Sequence, residues 1–229
     1  MTHSLGDPER TAVICVECQR GVLGADSVLP VLREDAAPLI GRLDRLLRAA
    51  RSAKMPIVHA TFEGHLGGRP TGTAPLWRTL GERTAGWAPG HPATEVLSEL
   101  SDPGDLVLPR HHGLWPTRGS ELIPLLRGFG VQTVVLTGVS VNVALPLTAA
   151  DLAQEGFGVL VPTDAVAGTP AEYAEQALRH TMAMLARLTT VAALVEHWSD
   201  LYARKRTVRT GARGTATGHL PGTEERGHR

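Results

Sequence analysis

The sequence predicts a three-layer α/β fold, with helices on both faces of a six-stranded, mostly parallel sheet. Three observations predict it. Short apolar or β-branched runs alternate with helical stretches from residue 11 to residue 202. The runs are continuously apolar rather than alternating, as strands covered on both faces are. Finally, 42% of the 229 residues are hydrophobic, which supports a full core.

The elements follow in order. Residues 1–10 read as a flexible leader. Thr11 to Cys18 (TAVICVEC) is the first strand, and Gly and Pro make residues 19–31 a loop. Residues 35–52 place Leu39, Leu43, Leu46, Leu47 and Ala50 on one helical face and Arg42, Arg45 and Arg48 on another. IVHATF, after Pro56, is the second strand. Residues 63–93 are rich in Gly and Pro, and a loop this long in a compact domain is usually functional or flexible. Trp77 and Trp87 lie in it and suggest a lid or a subunit contact, with plain packing as the alternative. Residues 94–101 suggest a short helix and Asp105–Leu108 a third strand. A helix over 119–128 precedes the fourth strand, 132–137.

Thr137-Gly138 breaks that strand, and Asn142 stands as an N-cap before an apolar helix. A strand turning sharply into a helix aims backbone N–H groups and a dipole at one point, outside the carboxyl ends of the strands. The first turn of this helix offers only Val143, Ala144 and Leu145, none of them reactive. Phe157–Val161 is the fifth strand, followed by Asp164, read as structural. A helix over 170–186, a sixth strand at 189–192 and a last helix to about Tyr202 complete a single domain, 11–202. Residues 203–229 carry seven Arg or Lys and two Glu with few large apolar groups, a basic disordered tail.

Composition excludes several classes. The formal net charge is zero and aromatics are only 4%, against a nucleic-acid surface. No apolar run approaches the roughly 18 residues of a membrane span. No signal peptide is visible, so a cytoplasmic location is expected. Cys15 and Cys18 are predicted to point to opposite faces of one strand, unpaired.

The patterns VICVECQRGV, DLVLPRHHG and TGVSVNVALPLTAADLAQEGFGVLVPTDA resemble the isochorismatase-like hydrolases, also called cysteine hydrolases, over residues 11 to 198. The resemblance implies their Rossmann-like fold, no cofactor, a small-molecule substrate and a homodimer or homotetramer. The family's cysteine enzymes use an Asp two residues before a Gln, a Lys after the third strand, and a Cys six residues after the turn glycine. Here Glu17 takes the acid's place before Gln19, Arg110 the lysine's, and Ala144 the cysteine's. The carboxylate is retained one methylene longer, the positive charge is retained as a planar fork, and the nucleophile is absent.

True isochorismatases likewise lack the cysteine. Their vinyl-ether hydrolysis begins with a proton from a carboxylic acid whose proton affinity burial raises. The resemblance therefore implies Glu17 as general acid and Arg110 as charge partner. Val139, Ser140, Asn142 and Ala144 would form an anion-facing cradle, with Gln19, His111 and His112 as further contacts. Each has a plainer reading. Glu17 could be a turn residue, Arg110 a lock that keeps Glu17 ionised, and the histidines surface groups. Ser140 has no orienting His or Asp in a recognisable order, and a cis peptide known at this turn in the family implies that it shapes the backbone. The region HATFEGHLGG, with His59, Glu63 and His65, lacks the spaced Asp and His pattern of the family's metal sites, so no metal is expected. Three functions follow: a cysteine-independent hydrolase or lyase acting on a carboxylate-bearing enol ether, a non-catalytic binding or scaffolding member, or an amide hydrolase with a non-standard nucleophile.

Overall fold

The computed structural model describes residues 5–69 and 72–214. Seven parallel strands form one sheet: β1 (Thr11–Val16), β2 (Ile57–Phe62), β3 (Leu106–Arg110), β4 (Thr133–Val139), β5 (Gly158–Pro162), β6 (Val166–Ala167) and β7 (Arg187–Thr189). Their spatial order is β3-β2-β1-β4-β5-β7. β6, the strand not foreseen, pairs with the last two residues of β4, while β5 pairs with its first three. Parallel pairing brings the carboxyl ends of β1, β2, β3 and β4 to one edge, where the strand order reverses around β1.

β1 is buried along its whole length and feeds two apolar layers. Val13 and Cys15 face α3 (Leu39–Ser52) and α9 (Val191–Gly214), against Leu43, Leu47, Leu194 and Trp198. Ala12, Ile14 and Val16 face α5 (Leu122–Gly128) and α6 (Ala144–Gln154), against Leu126, Leu145 and Leu152. The five apolar residues predicted for α3 are all buried. β3 is an edge strand with Val107 exposed, and only an edge tolerates Pro109, which has no N–H to donate.

Several expectations are corrected. The helix expected over 94–101 is absent: Thr94 only closes a 3-10 turn (Pro92–Thr94), and residues 95–101 are not helical. Their Leu97 and Leu100 mimic a helical stripe, but Val96 bridges to Gln19 and the Leu97 N–H donates to the Cys18 carbonyl, so tertiary pairing wins. The helix expected over 170–186 is α7 (Ala171–Ala177), a π-helical turn (Leu178–Met182) and α8 (Ala183–Leu185). Residues 5–10 are tied down: Pro8–Arg10 is a 3-10 turn capped by Asp7, and His197 donates to the Gly6 carbonyl at 3.0 Å. α9 continues past Tyr202 to Gly214, through Ala, Arg and Lys residues that favour helix. The rest of the predicted tail, 215–229, lies outside the described residues. Asp164 caps α9, accepting from the Val191 N–H at 2.9 Å. No helix among the described residues is long and apolar enough to cross a membrane.

Candidate active site

The site forms where β1, β3 and β4 end. Glu17, the first residue past β1, has φ of 52°, a left-handed conformation unusual for a side chain larger than glycine's. This reversal breaks strand alternation, so Cys18 enters the same apolar layer as Cys15 rather than the opposite one. Both thiols are free and buried. The reversal leaves Glu17 facing a cavity of about 220 Å³ at the sheet edge.

Arg110 closes β3 and faces the same cavity. It is buried, and its Nη2 donates to Glu17 Oε1 in a short ion pair. Its guanidinium also lies over the Phe62 ring, 5.3 Å from the centroid. Its Nε and Nη1, both buried, have no partner. An arginine can donate five hydrogen bonds, so this one has capacity to spare. A buried cation with unspent donors in the lining of a cavity suits an anion.

The third part is the turn after β4. Gly138 has φ of 94°, and a Cβ there would lie 2.3 Å from the Val16 carbonyl oxygen. Only glycine lets β4 close against β1 at this point. The Val139–Ser140 peptide is cis. The Val141 and Leu145 N–H groups are spent on the Ala167 and Ser140 carbonyls, whereas those of Asn142, Val143 and Ala144 meet no backbone carbonyl. Ser140, Asn142, Val143 and Ala144 all line the cavity.

Asn142 does not cap α6 as expected. Val143 occupies the cap position without a side-chain bond. Asn142 instead clamps the turn to residue 169: its Nδ2 donates to the Thr169 carbonyl at 2.5 Å and its Oδ1 accepts from the Thr169 N–H at 3.0 Å.

Four of the predicted contacts do not line the cavity. Gln19 is fully buried. Its Nε2 donates to the Phe62 and Thr94 carbonyls, both at 2.9 Å, and its Oε1 accepts from the Phe62 N–H at 2.7 Å. It ties the site's segments together instead of meeting a ligand. Val139 is buried within the sheet. His111 Nδ1 donates to the Gly64 carbonyl at 3.1 Å, and His112 is exposed beside Gly119.

Sequence reasoning missed the cavity's apolar walls. Residues 63–69 and 72–93 fold over the sheet edge, the latter carrying α4 (Pro75–Leu80). Trp77 stacks on Phe62 with centroids 5.5 Å apart, and Trp87 lies 6.2 Å from the same ring. Trp87 is seated against Gly64, where a Cβ would come within 2.2 Å of the Trp87 carbonyl oxygen. Both tryptophans line the cavity, so within one chain they serve as wall and core together. The opposite wall includes Leu29 and Leu32, from α2 (Pro30–Asp35) and its approach. Composition showed that these residues were apolar but not that they shared a chamber.

Beneath the site lies a second polar cluster. His59 Nε2 is 2.9 Å from Asp105 Oδ2, which also pairs with Arg51 at 2.5 Å. Cys15, paired in register with His59, is held well below the ordinary thiol range by Cys18 and His59, which outweigh its burial. Cys18 is pushed up by Cys15 and by burial. Neither thiol reaches the cavity. Among the described residues, no group of three or more His, Cys, Asp or Glu is placed to hold a metal ion.

Residues 11–193 match the model of the isochorismatase domain. A ureidoacrylate amidohydrolase, RutB, of Pantoea ananatis is 30% identical over 189 residues, covering 74% of each chain. The protein of the same name from Serratia proteamaculans is 28% identical over 194 residues, 74% of this chain and 75% of its own. Among solved structures, a cysteine hydrolase from Pseudomonas syringae pv. phaseolicola superposes with a TM-score of 0.72 at 22% identity, covering 87% of this chain and 99% of that one. An isochorismatase family protein from Desulfovibrio vulgaris superposes with a TM-score of 0.69 at 22% identity, covering 85% and 98%. These structures share the fold, and the domain match fixes the lineage: the chain belongs to the isochorismatase family.

Proposed function

We propose that this protein is a cysteine-independent hydrolase or lyase that acts on a small carboxylate-bearing molecule by acid–base chemistry. The observation that carries the reading is the Glu17–Arg110 ion pair, which shares one cavity with Ala144 and leaves two Arg110 donors unspent. The family's thiol position, transferred by resemblance, carries only a methyl group here. Neither Cys15 nor Cys18 reaches the cavity to replace it.

In the resting site Glu17 is held in an ion pair with Arg110, and a group committed to that pair is a poor acid. The substrate resolves this. Its carboxylate takes the free Arg110 donors and competes with Glu17 for the guanidinium. Glu17, with its counter-charge shared and the cavity filled, is then released from the pair to serve as the general acid. For an enol ether, Glu17 protonates the terminal carbon of the double bond. Water adds to the resulting oxocarbenium carbon and returns its proton to Glu17. The hemiketal then collapses to a carbonyl and an alcohol. The N–H groups of residues 142–144 face the negative charge carried by the substrate.

Two alternatives each have one supporting observation. A binding member without turnover is favoured by the methyl group at Ala144. Amide hydrolysis is favoured by the relatives named ureidoacrylate amidohydrolase, whose named substrate is also a carboxylate. The test is incubation with isochorismate and with ureidoacrylate, followed by proton NMR. The expected result is pyruvate release from isochorismate that Glu17→Gln abolishes and thiol alkylation does not affect. Turnover that survives Glu17→Gln refutes the acid mechanism. Ligand binding without turnover selects the binding reading, and ammonia or carbamate release from ureidoacrylate selects the amidase.

A further inference from the structure

We infer that the cavity selects carboxylates with an apolar body, such as an aryl or branched alkyl group, over polar acids of the ureido type. This rests on the carboxylate anchor proposed for Arg110.

The lining divides by segment. Its charged groups, Glu17 and Arg110, come from strand ends, and Ser140, Asn142 and Thr169 from the turns beside them. The segments 22–32 and 76–87 contribute almost only apolar surface, with Leu29, Leu32, Leu76, Trp77, Leu80 and Trp87 foremost.

Two of the polar side chains beside this surface are already spent. Thr84 Oγ1 donates to the Leu80 carbonyl at 3.0 Å. Both ends of the Asn142 amide are bonded to Thr169. Gln19 is consumed by backbone and lies outside the cavity. A ureido group carries several donors and an acceptor. Past the Arg110 anchor it would meet leucine and tryptophan and leave those groups unpaired. A wall this poor in polar partners disfavours such a molecule, while an aryl body packs against it without that loss. The relatives' named substrate is therefore a poor fit for this chamber.

Equilibrium binding of three probes tests the inference: phenylacetate, its neutral isostere phenylacetamide, and 3-ureidopropionate. Phenylacetate is expected to bind at least about tenfold more tightly than 3-ureidopropionate. Leu76→Gln, at the exposed cavity mouth, and Leu80→Gln, half-buried, are each expected to narrow that gap by weakening phenylacetate alone. Leu76 is 40% exposed, so its replacement leaves the fold intact. Equal affinity for the two acids overturns the inference while leaving the anchor standing. Phenylacetamide binding as tightly as phenylacetate supports the apolar chamber but overturns the anchor. Failure of all three to bind overturns the inference.

Discussion

Replacing Glu17 by Gln probes the site through stability as well as through activity. The substitution keeps the shape and an acceptor oxygen but removes the counter-charge that pairs with Arg110 among the described residues. The Arg110 side chain is 5% exposed and that of Glu17 is 19% exposed, so the arginine is the costlier charge to strand. Breaking a buried pair by removing one partner costs about 3–5 kcal/mol. The retained amide oxygen places Glu17→Gln at the lower end, about 3 kcal/mol. Arg110→Met strands a carboxylate that still reaches solvent and should cost about 2 kcal/mol. The double variant should cost well below the sum, with a coupling energy of about 2 kcal/mol. Urea unfolding of the four proteins measures this cycle. For a chain of this size, Glu17→Gln should lower Tm by about 6–12 °C. Phenylacetate should then restore stability to Glu17→Gln more than to the parent, by up to about 2.7 kcal/mol at a hundredfold excess over Kd. A Glu17→Gln cost below about 1 kcal/mol, with the two substitutions additive within about 0.5 kcal/mol, refutes a buried functional pair.

Other expectations follow from neighbouring residues. Ala144→Cys places a thiol at the first turn of α6, in the cavity, so one equivalent should react rapidly with a thiol reagent in native protein, whereas the buried Cys15 and Cys18 of the parent should not react. Gln19→Leu leaves the Phe62 N–H and two carbonyls unpaired in the core, a loss of at least about 3 kcal/mol that chemical denaturation reads directly. His65 packs edge-on to Trp77 at 4.6 Å, and burial, chiefly, holds it below the ordinary histidine range. The unfolded chain therefore binds this proton more readily. The contribution of His65 is complete above the ordinary value of about 6.5 and is lost as pH falls through the lower folded value. His59 has the opposite sign: burial works against its proton, but Cys15 and Asp105 outweigh burial and raise it. The measurement is thus a comparison of parent and His65→Phe between pH 7.5 and 5 (on the order of one titration window), in which the variant should lose less stability on acidification.

The frame of the fold was legible because it rests on local pattern. Continuous apolar runs found the sheet, and for β2 the predicted and observed bounds coincide at Ile57–Phe62. Helical spacing found the buried face of α3. Errors arose where long-range pairing overrode local preference, as at Val96 and Leu97, and where one backbone angle reversed the chain, as at Glu17. The convergence of Glu17, Arg110 and the 138–144 turn was predicted from topology, because strand ends of a parallel sheet share an edge. The roles of Gln19 and Asn142 were not predictable in this way. An amide withdrawn from solvent, wholly for Gln19 and partly for Asn142, bonds whatever backbone the tertiary fold brings to it, and Phe62 and Thr169 are distant in sequence.

The tryptophan-bearing segment over the sheet edge has a consequence for the lineage. The groups that define the chemistry are rooted in β1, β3 and β4, where change disturbs the whole core. Much of the chamber's apolar wall is carried on residues 75–87, outside the sheet. Heritable variation can therefore accumulate at wall positions outside the core, such as Leu76 and Leu80, at little structural risk, while the edge beneath and the tryptophans that double as core stay fixed. Descendants of one scaffold would then diverge first in what they admit and only later in what they do to it.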